Sequence, residues 1–312
     1  MFDLYRLNMN NIKTIFSIKD LENLSGIKAH TIRIWEKRYH ALEPMRTASN
    51  IRFYDIAALQ KLLNIKLLHN HGYKISKISK LENDKIRQLV SEITSKKNRN
   101  VHVISALKVA MMNFDQAAFL KHVDNLSSEK SFRQIFYEVF FPLLEDLGFL
   151  WQTETITPAH EHFISYLIKQ KVLVNTELVQ RIQPTQNQKR FVLFLPLHEV
   201  HELGLMYINY ELLSHGFSSI YLGESVPLSS LRSIKNHFEN VIYISYLTVA
   251  PAREKILDYL QEIKQDILDS NSELWILGRH TEDLDPVALP ESVRQFTSIS
   301  ELVSEAITYK DE

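Results

Sequence analysis

The chain has 312 residues, 45% of them apolar, with seven glycines and no cysteine, which suits two or three domains with their own cores and excludes disulfides, thiolate metal sites and cysteine nucleophiles. No apolar run is long enough to span a membrane, and the opening "MFDLYRLNMNNIK" lacks the apolar core of a signal peptide, so a cytoplasmic chain with no membrane partner is expected. The net charge of -1 conceals a split: residues 1–80 carry 14 Lys/Arg against 6 Asp/Glu, a net of +8, and the remainder a net of -9. That asymmetry predicts a basic module for a polyanion joined to acidic modules with another task.

Along 17–80, apolar positions recur at helical spacing (Ile18, Leu21, Leu24, then Ile32, Trp35), and the rhythm breaks at Gly26. "EPMRTASNIRFY", with its proline, small polar residues and alternating Ile51 and Phe53, reads as a two-stranded wing, followed by a helix over about 55–69. From about 81 to 180 the pattern is helical throughout, interrupted at "SKKNRN", "NLSSEKS" and "QTETITP", which predicts a bundle of four or five helices. Thr157 before Pro158 is a helix start, with a side-chain oxygen at the cap and a proline whose missing N–H costs nothing there.

"QPTQNQK" (183–189) reads as a linker. Beyond it, strands "RFVLFLPL", "GFSSIYLG", "VIYISYL" and "LWILG" alternate with helical stretches over 201–215, 228–238 and 252–268. Strict alternation implies a parallel sheet covered on both faces, with a ligand beyond the C-terminal strand ends, where "PLHEVHELG" follows the first strand. The predicted architecture is multidomain, α and α/β. A tail over 1–16 precedes a winged helix-turn-helix over 17–85, then come a helical-bundle cap over 86–183 and a Rossmann-like domain over 190–312.

Four titratable side chains crowd the loop after the first strand: His198, Glu199, His201 and Glu202. The zinc-protease arrangement H-E-x-x-H needs histidines four apart on one helical face; here they are three apart, and zinc hydrolysis is not supported. In the N-terminal module, Lys28, His30, Thr31, Arg33, Lys37 and Arg38 fall on a helix suited to the major groove of double-stranded DNA, with Arg46, Arg52 and Tyr54 on the wing beside it. Trp35 and Tyr39 read as packing residues.

The stretch from "FSIKDLENLSGIKAHTIRIWEKRYH" to "FYDIAALQKL" resembles the winged-helix DNA-binding domain of the MerR family. Glu199, His201 and Gly204 match the cobalamin-binding motif D/E-x-H-x-x-G; Ser245-Tyr246-Leu247 follows after forty residues, and Gly278 closes "LWILG". Trp151, nine residues, then Glu161-His162 resembles the W-x9-EH motif of the cap in cobalamin-dependent photoreceptor repressors of the CarH and LitR type.

By that resemblance His201 is the lower cobalt ligand, Glu199 its acidic partner on the other ring nitrogen, and Gly204 the space for the displaced nucleotide tail. Ser245, Leu247 and Gly278 line that tail pocket, and Trp151, Glu161 and His162 face the adenosyl group of adenosylcobalamin held between cap and sheet. His198 and Glu202 are left as bystanders. The resemblance further implies an operator-binding homo-oligomer, dimer or tetramer, that represses in the dark, and no enzymatic turnover. Two positions depart from the pattern. Gln152 stands where photoproduct-trapping members have a histidine, with His160 and His162 as substitutes, and Arg279 replaces a second glycine. Glutamine is a poor cobalt ligand. The departures leave open a light-independent cobalamin sensor or apo-form repressor; a corrinoid carrier is the alternative of another class.

Cationic side chains that neutralise phosphates release counterions, so the logarithm of the operator affinity should fall linearly with the logarithm of salt concentration. Arg33→Ala or Lys37→Ala should each reduce that slope by about 1 if the side chain meets a phosphate, which a salt titration of full-length chain on operator DNA measures.

Overall fold

The computed structural model describes residues 15–47, 49–93, 99–181 and 186–309. The expected N-terminal tail up to residue 14, the core of the break at "SKKNRN" and the first part of the expected linker lie outside the described residues. The chain divides into two compact units, Met1–Ile168 and Lys169–Glu312.

The first unit opens with α1 (Ile18–Ser25), started by a reciprocal capping box between Ser17 and Asp20 and stopped by Gly26 at φ +70°. α2 (Ala29–Tyr39) follows directly, then the antiparallel pair β1 (Met45–Arg46) and β2 (Arg52–Phe53), which is the expected wing. Phe16 and Tyr54 exchange backbone hydrogen bonds of 2.8 and 2.9 Å, tying the start of the module to the wing's return strand. α3 (Ile56–Asn70) is capped by Asp55, whose side chain accepts from Ala58 N–H at 2.8 Å. A short helix, α4 (Ile75–Ile78), ends the module.

The helical region continues with α5 (Asn83–Ile93), α6 (Arg99–Met112), α7 (Gln116–Ser127), α8 (Phe132–Ile135), α9 (Phe141–Gln152) and the long α10 (Pro158–Gln180). Between α8 and α9 the chain passes through one π-helical turn, Phe136–Phe140, just before Pro142, which has no N–H to give to an α-helical ladder. Phe119, Phe136 and Phe140 are fully buried there, with rings 6.3 Å apart for Phe119–Phe140 and for Phe136–Phe140.

The second unit holds a five-stranded parallel sheet in the order β4-β3-β5-β6-β7, formed by β3 (Gln186–Pro196), β4 (Phe217–Val226), β5 (Val241–Tyr246), β6 (Glu273–Leu277) and β7 (Val293–Gln295). β3 starts at Gln186, inside the stretch read as a linker. The reason is pairing: Gln186 registers with Phe217 and Arg190 with Ser218, an irregular extension of the ladder that polar composition cannot announce. On one face Val192, Phe194, Val241, Tyr243 and Leu247 pack against α12 (Leu228–Lys235) and α13 (Ile256–Asp266) through Leu231, Ile256, Leu260 and Ile263. On the other, α11 (Leu203–Ser214) packs with α14 (Ile299–Thr308). β7 and α14 lie beyond the last strand recognised in the sequence, because three residues of strand carry too short a period to read.

The order places β3 and β5 side by side, with the connection from β3 leading to β4 on one side and the connection from β5 leading to β6 on the other. The crevice beyond the C-terminal ends of β3 and β5 is therefore the topological switch point, where doubly wound sheets bind ligands.

Gly278, at φ +113°, lies so close to β5 that a Cβ added to it would fall 2.5 Å from the Leu247 carbonyl oxygen. Neither backbone can yield. Gly278→Ala is expected to cost about 2 kcal/mol or more, visible as an earlier urea transition of the sheet unit followed by fluorescence of the buried Trp275.

Candidate functional site

The loop after β3 turns at His198, whose φ of +71° folds the chain back so that Glu199 points inward. His198 itself is exposed, and its N–H donates to Ser225 Oγ at 2.9 Å. Glu199 is fully buried and accepts hydrogen bonds with both oxygens. Oε1 receives Val200 N–H and His201 N–H, each at 3.0 Å, and His201 Nδ1 at 2.6 Å. Oε2 receives the consecutive N–H groups of Thr248, Val249 and Ala250 at 3.0, 2.6 and 2.9 Å. Burial alone would raise this carboxyl's pKa; the bonds from His201 and from the Ala250 and Val249 backbone outweigh it and hold the group well below the usual carboxylate range.

With Nδ1 engaged by the Glu199 carboxylate, Nε2 is the ring nitrogen of His201 that could hold a metal, and the side chain is 53% exposed. Leu197, Val200 and Val249 stand exposed on the same two loops. An imidazole set among exposed apolar side chains at a switch point could hold a flat apolar macrocycle carrying a metal.

Other predicted residues take different places. Ser245 is buried, and its Oγ has no hydrogen-bond partner among the described residues, an acceptor and donor held ready inside the sheet. Leu247 is fully buried in the core under α12 and α13, so its side chain packs the sheet rather than lining a pocket. Its backbone carries the contact instead, with the N–H on Leu277 O at 2.7 Å and the carbonyl accepting from His280 N–H at 3.0 Å. Gly204 makes room, but for Tyr246: a Cβ there would fall 2.8 Å from Tyr246 Cε2. Glu202, read as a bystander, accepts from Tyr221 OH at 2.9 Å and pairs with Lys169, linking the middle of α10 to β4. Arg279 is exposed in the turn Arg279–Thr281.

In the first unit, Trp151 sits near the end of α9 and is 48% exposed. Gln152 closes that helix. Glu161 lies in the first turn of α10; its Oε1 accepts from Ser165 Oγ at 2.8 Å, and its Oε2 lies 3.1 Å from Nδ1 of the exposed His162. His160 is fully buried, stacked on Phe114 with rings 4.6 Å apart, and its Nδ1 is 2.8 Å from Thr157 Oγ1. A core ring held this way is not a substitute cobalt ligand. The Thr157 hydroxyl and the Thr157 N–H both meet Nδ1 of this ring, so the expected helix start is fastened through His160.

On α2, Lys28, His30, Arg33, Lys37 and Arg38 are exposed and Thr31 is half-buried; His30, Arg33 and Lys37 share one face by their spacing. Arg46 is exposed, its guanidinium on Asn50 Oδ1 at 2.8 Å. The structure corrects Tyr54, which is fully buried with its OH on the buried Glu36. Arg52 shares that carboxylate, Nε to Oε2 at 3.4 Å. Tyr54 and Glu36 therefore fix the wing against α2, and Tyr54 meets no DNA.

A sequence model described as "MerR HTH family regulatory protein" matches residues 16–85, and one described as "B12 binding domain" matches residues 103–174. The chain is 28% identical over 225 residues, 69% of its length, to the HTH-type transcriptional repressor CarH of Myxococcus xanthus, of which that covers 73%. That similarity, with the two matched domains, supports a regulator of the CarH type. The chain is also 23% identical to the repressor CarA of the same organism, over 69% of the chain and 70% of the relative. The Methanosarcina barkeri monomethylamine corrinoid protein shares its fold with a TM-score of 0.55 at 12% identity, over 67% of this chain and 99% of that one. The regulator is thus a cobalamin-dependent DNA-binding protein with a corrinoid-protein fold behind its MerR-type module. Among the described residues no helix is long and apolar enough to cross a membrane.

Sequence reading missed the three amides at Thr248–Ala250 and the ring of Tyr246. Backbone donors have no residue signature, although the bulky middle residue of Ser-Tyr-Leu was visible. Glu199→Ala leaves three neighbouring N–H groups of a buried loop without their acceptor, an expected loss of about 3 kcal/mol or more, measured by denaturant unfolding. The lowered carboxyl pKa sets the sign with pH. Stability from Glu199 is complete above the ordinary carboxylate range, about 4.3, and is lost as pH falls toward the depressed folded value, so wild type and Glu199→Gln should converge in acid.

Proposed function

We propose that the chain is a transcriptional repressor, a dimer or tetramer, in which adenosylcobalamin is the light-sensing chromophore that controls oligomerisation and operator binding. The observation that carries this reading is the His201–Glu199 pair at the switch point, at 2.6 Å, in a chain that also carries a MerR-type module. In this reading His201 Nε2 is the lower cobalt ligand, Glu199 fixes its tautomer and direction, and Ser245 and Gly278 shape the sheet behind it. Trp151, Glu161 and His162 would meet the cofactor's adenosyl group. When bound, the cofactor supplies a cobalt–carbon bond that visible light cleaves. The regulator needs no turnover: a ligand with different affinity for two assembly states shifts their populations. Operator contacts fall to Lys28, His30, Thr31, Arg33, Lys37, Arg38 and Arg46, with Arg52 held half-buried beside them.

Gln152 favours a second reading, a light-independent cobalamin sensor or apo-form repressor, because an amide next to Trp151 is a poor cobalt ligand. A corrinoid carrier shares the sheet and its histidine but has no use for a basic winged helix.

The test is the absorption spectrum of the full-length chain with adenosylcobalamin, before and after illumination, with particle size measured alongside. Retention with a light-dependent change in size is expected. Retention without a size change selects the light-independent cobalamin sensor, and no retention removes both cobalamin readings and leaves the apo-form repressor. His201→Ala should alter the spectrum of the bound cofactor and weaken retention by about tenfold or more; an unchanged spectrum removes the lower-ligand assignment.

A further inference from the structure

The turn that follows Trp151 is hydrogen-bonded to the DNA-binding module. Glu154 N–H donates to Trp151 O at 2.9 Å and Thr155 N–H to Leu150 O at 2.9 Å, which folds the turn back onto the last carbonyls of α9. Thr155 is fully buried, and its Oγ1 accepts from Asn23 Nδ2 of α1 at 2.8 Å, across 132 residues of chain. Thr153 Oγ1 donates to Phe149 O at 3.0 Å and lies 3.0 Å from Thr155 Oγ1. Since the Thr153 hydrogen is committed to Phe149, the Thr155 hydroxyl is the donor between the two. The bonds run in one direction, Asn23 to Thr155 to Thr153 to the α9 backbone, and each polarises the next.

On the other side of α1, the residue before Asn23 holds the DNA-facing helix. The N-cap of α2 is Lys28, which makes no side-chain cap bond. Glu22 supplies one from outside: Oε2 accepts from Ala29 N–H at 3.0 Å, and Oε1 lies 3.3 Å from Lys28 Nζ. A carboxylate at a helix N-terminus is favoured by the helix dipole as well as by the bond. α1 is thus gripped at consecutive residues by the Trp151 turn and by the start of the recognition helix.

From this chain of contacts we infer that Asn23 and Thr155 are positioning residues through which the Trp151 turn sets the pose of α2, so that the state of the cap reaches the operator-reading helix within one chain. This deepens the proposed function and rests on its assignment of Trp151 to the cofactor. It adds a route distinct from subunit rearrangement, because a shift of the α9 terminus moves α1 and, through Glu22, the N-terminus of α2.

The experiment is a double-mutant cycle on the full-length chain with Asn23→Ala, Thr155→Val and both, reading the ratio of operator affinities with and without adenosylcobalamin in the dark. Each single change should shrink that ratio by on the order of fivefold, and the double should shrink it no further. Thr155→Ser, which keeps the hydroxyl, should restore it, so a folding defect is told apart from a lost contact. An independent readout uses the cofactor-free chain: amide exchange at Ala29 should quicken in Thr155→Val, while exchange in α14 stays unchanged. Variants that retain the cofactor spectrum and the wild-type ratio overturn the inference and leave the proposed function standing. A wild-type chain that retains no cofactor, or whose operator affinity ignores it, overturns the proposed function and this inference with it.

Discussion

The α/β unit depends on one buried carboxylate. Glu199 lies where two loops leave adjacent strands in opposite directions, and its six hydrogen bonds, three from its own loop and three from Thr248–Ala250, close the end of the crevice. A charge removed from water is tolerable only when its lone pairs are met by donors fixed in advance. The backbone of the β5 loop meets one oxygen and the β3 loop the other. The histidine is the one side-chain donor of the six, so the group that holds the loops together also orients the ring proposed to meet the metal.

The DNA-binding module repeats the device on a smaller scale. Glu36 is buried at the back of α2, takes the Tyr54 hydroxyl, and lies 3.4 Å from Arg52 Nε. Two strands of two residues each cannot hold themselves in place, and the carboxylate anchors the wing to the helix whose exposed face carries Arg33 and Lys37. Tyr54 thereby leaves the operator surface and becomes part of what shapes it. Likewise Gly204 and Gly278 are required by neighbours within the protein, the ring of Tyr246 and the carbonyl of Leu247.

Much of the architecture was legible along the chain. Helical periodicity broken at Gly26, the wing composition, the helix start at Thr157 and Pro158, and apolar strands alternating with helices all depend on residues within a few positions of one another. β7 escaped because it is too short to show a period, and the start of β3 because its polar residues are recruited by pairing with β4. Within the site, Glu199 and His201 were visible as a pair two residues apart, since the loop brings them together locally.

What the sequence by itself determined was the order of modules, the cations of α2, and the closeness of His201 to an acidic residue two positions earlier, because these rest on local spacing and side-chain chemistry. Only the tertiary structure decided which neighbours use that chemistry. It buried Tyr54 against Glu36, sent His160 into the core against Phe114, put Leu247 beneath two helices, and joined Asn23 to Thr155 across 132 residues. These are contacts between distant segments, fixed by how helices and strands pack, and no spacing along the chain records them.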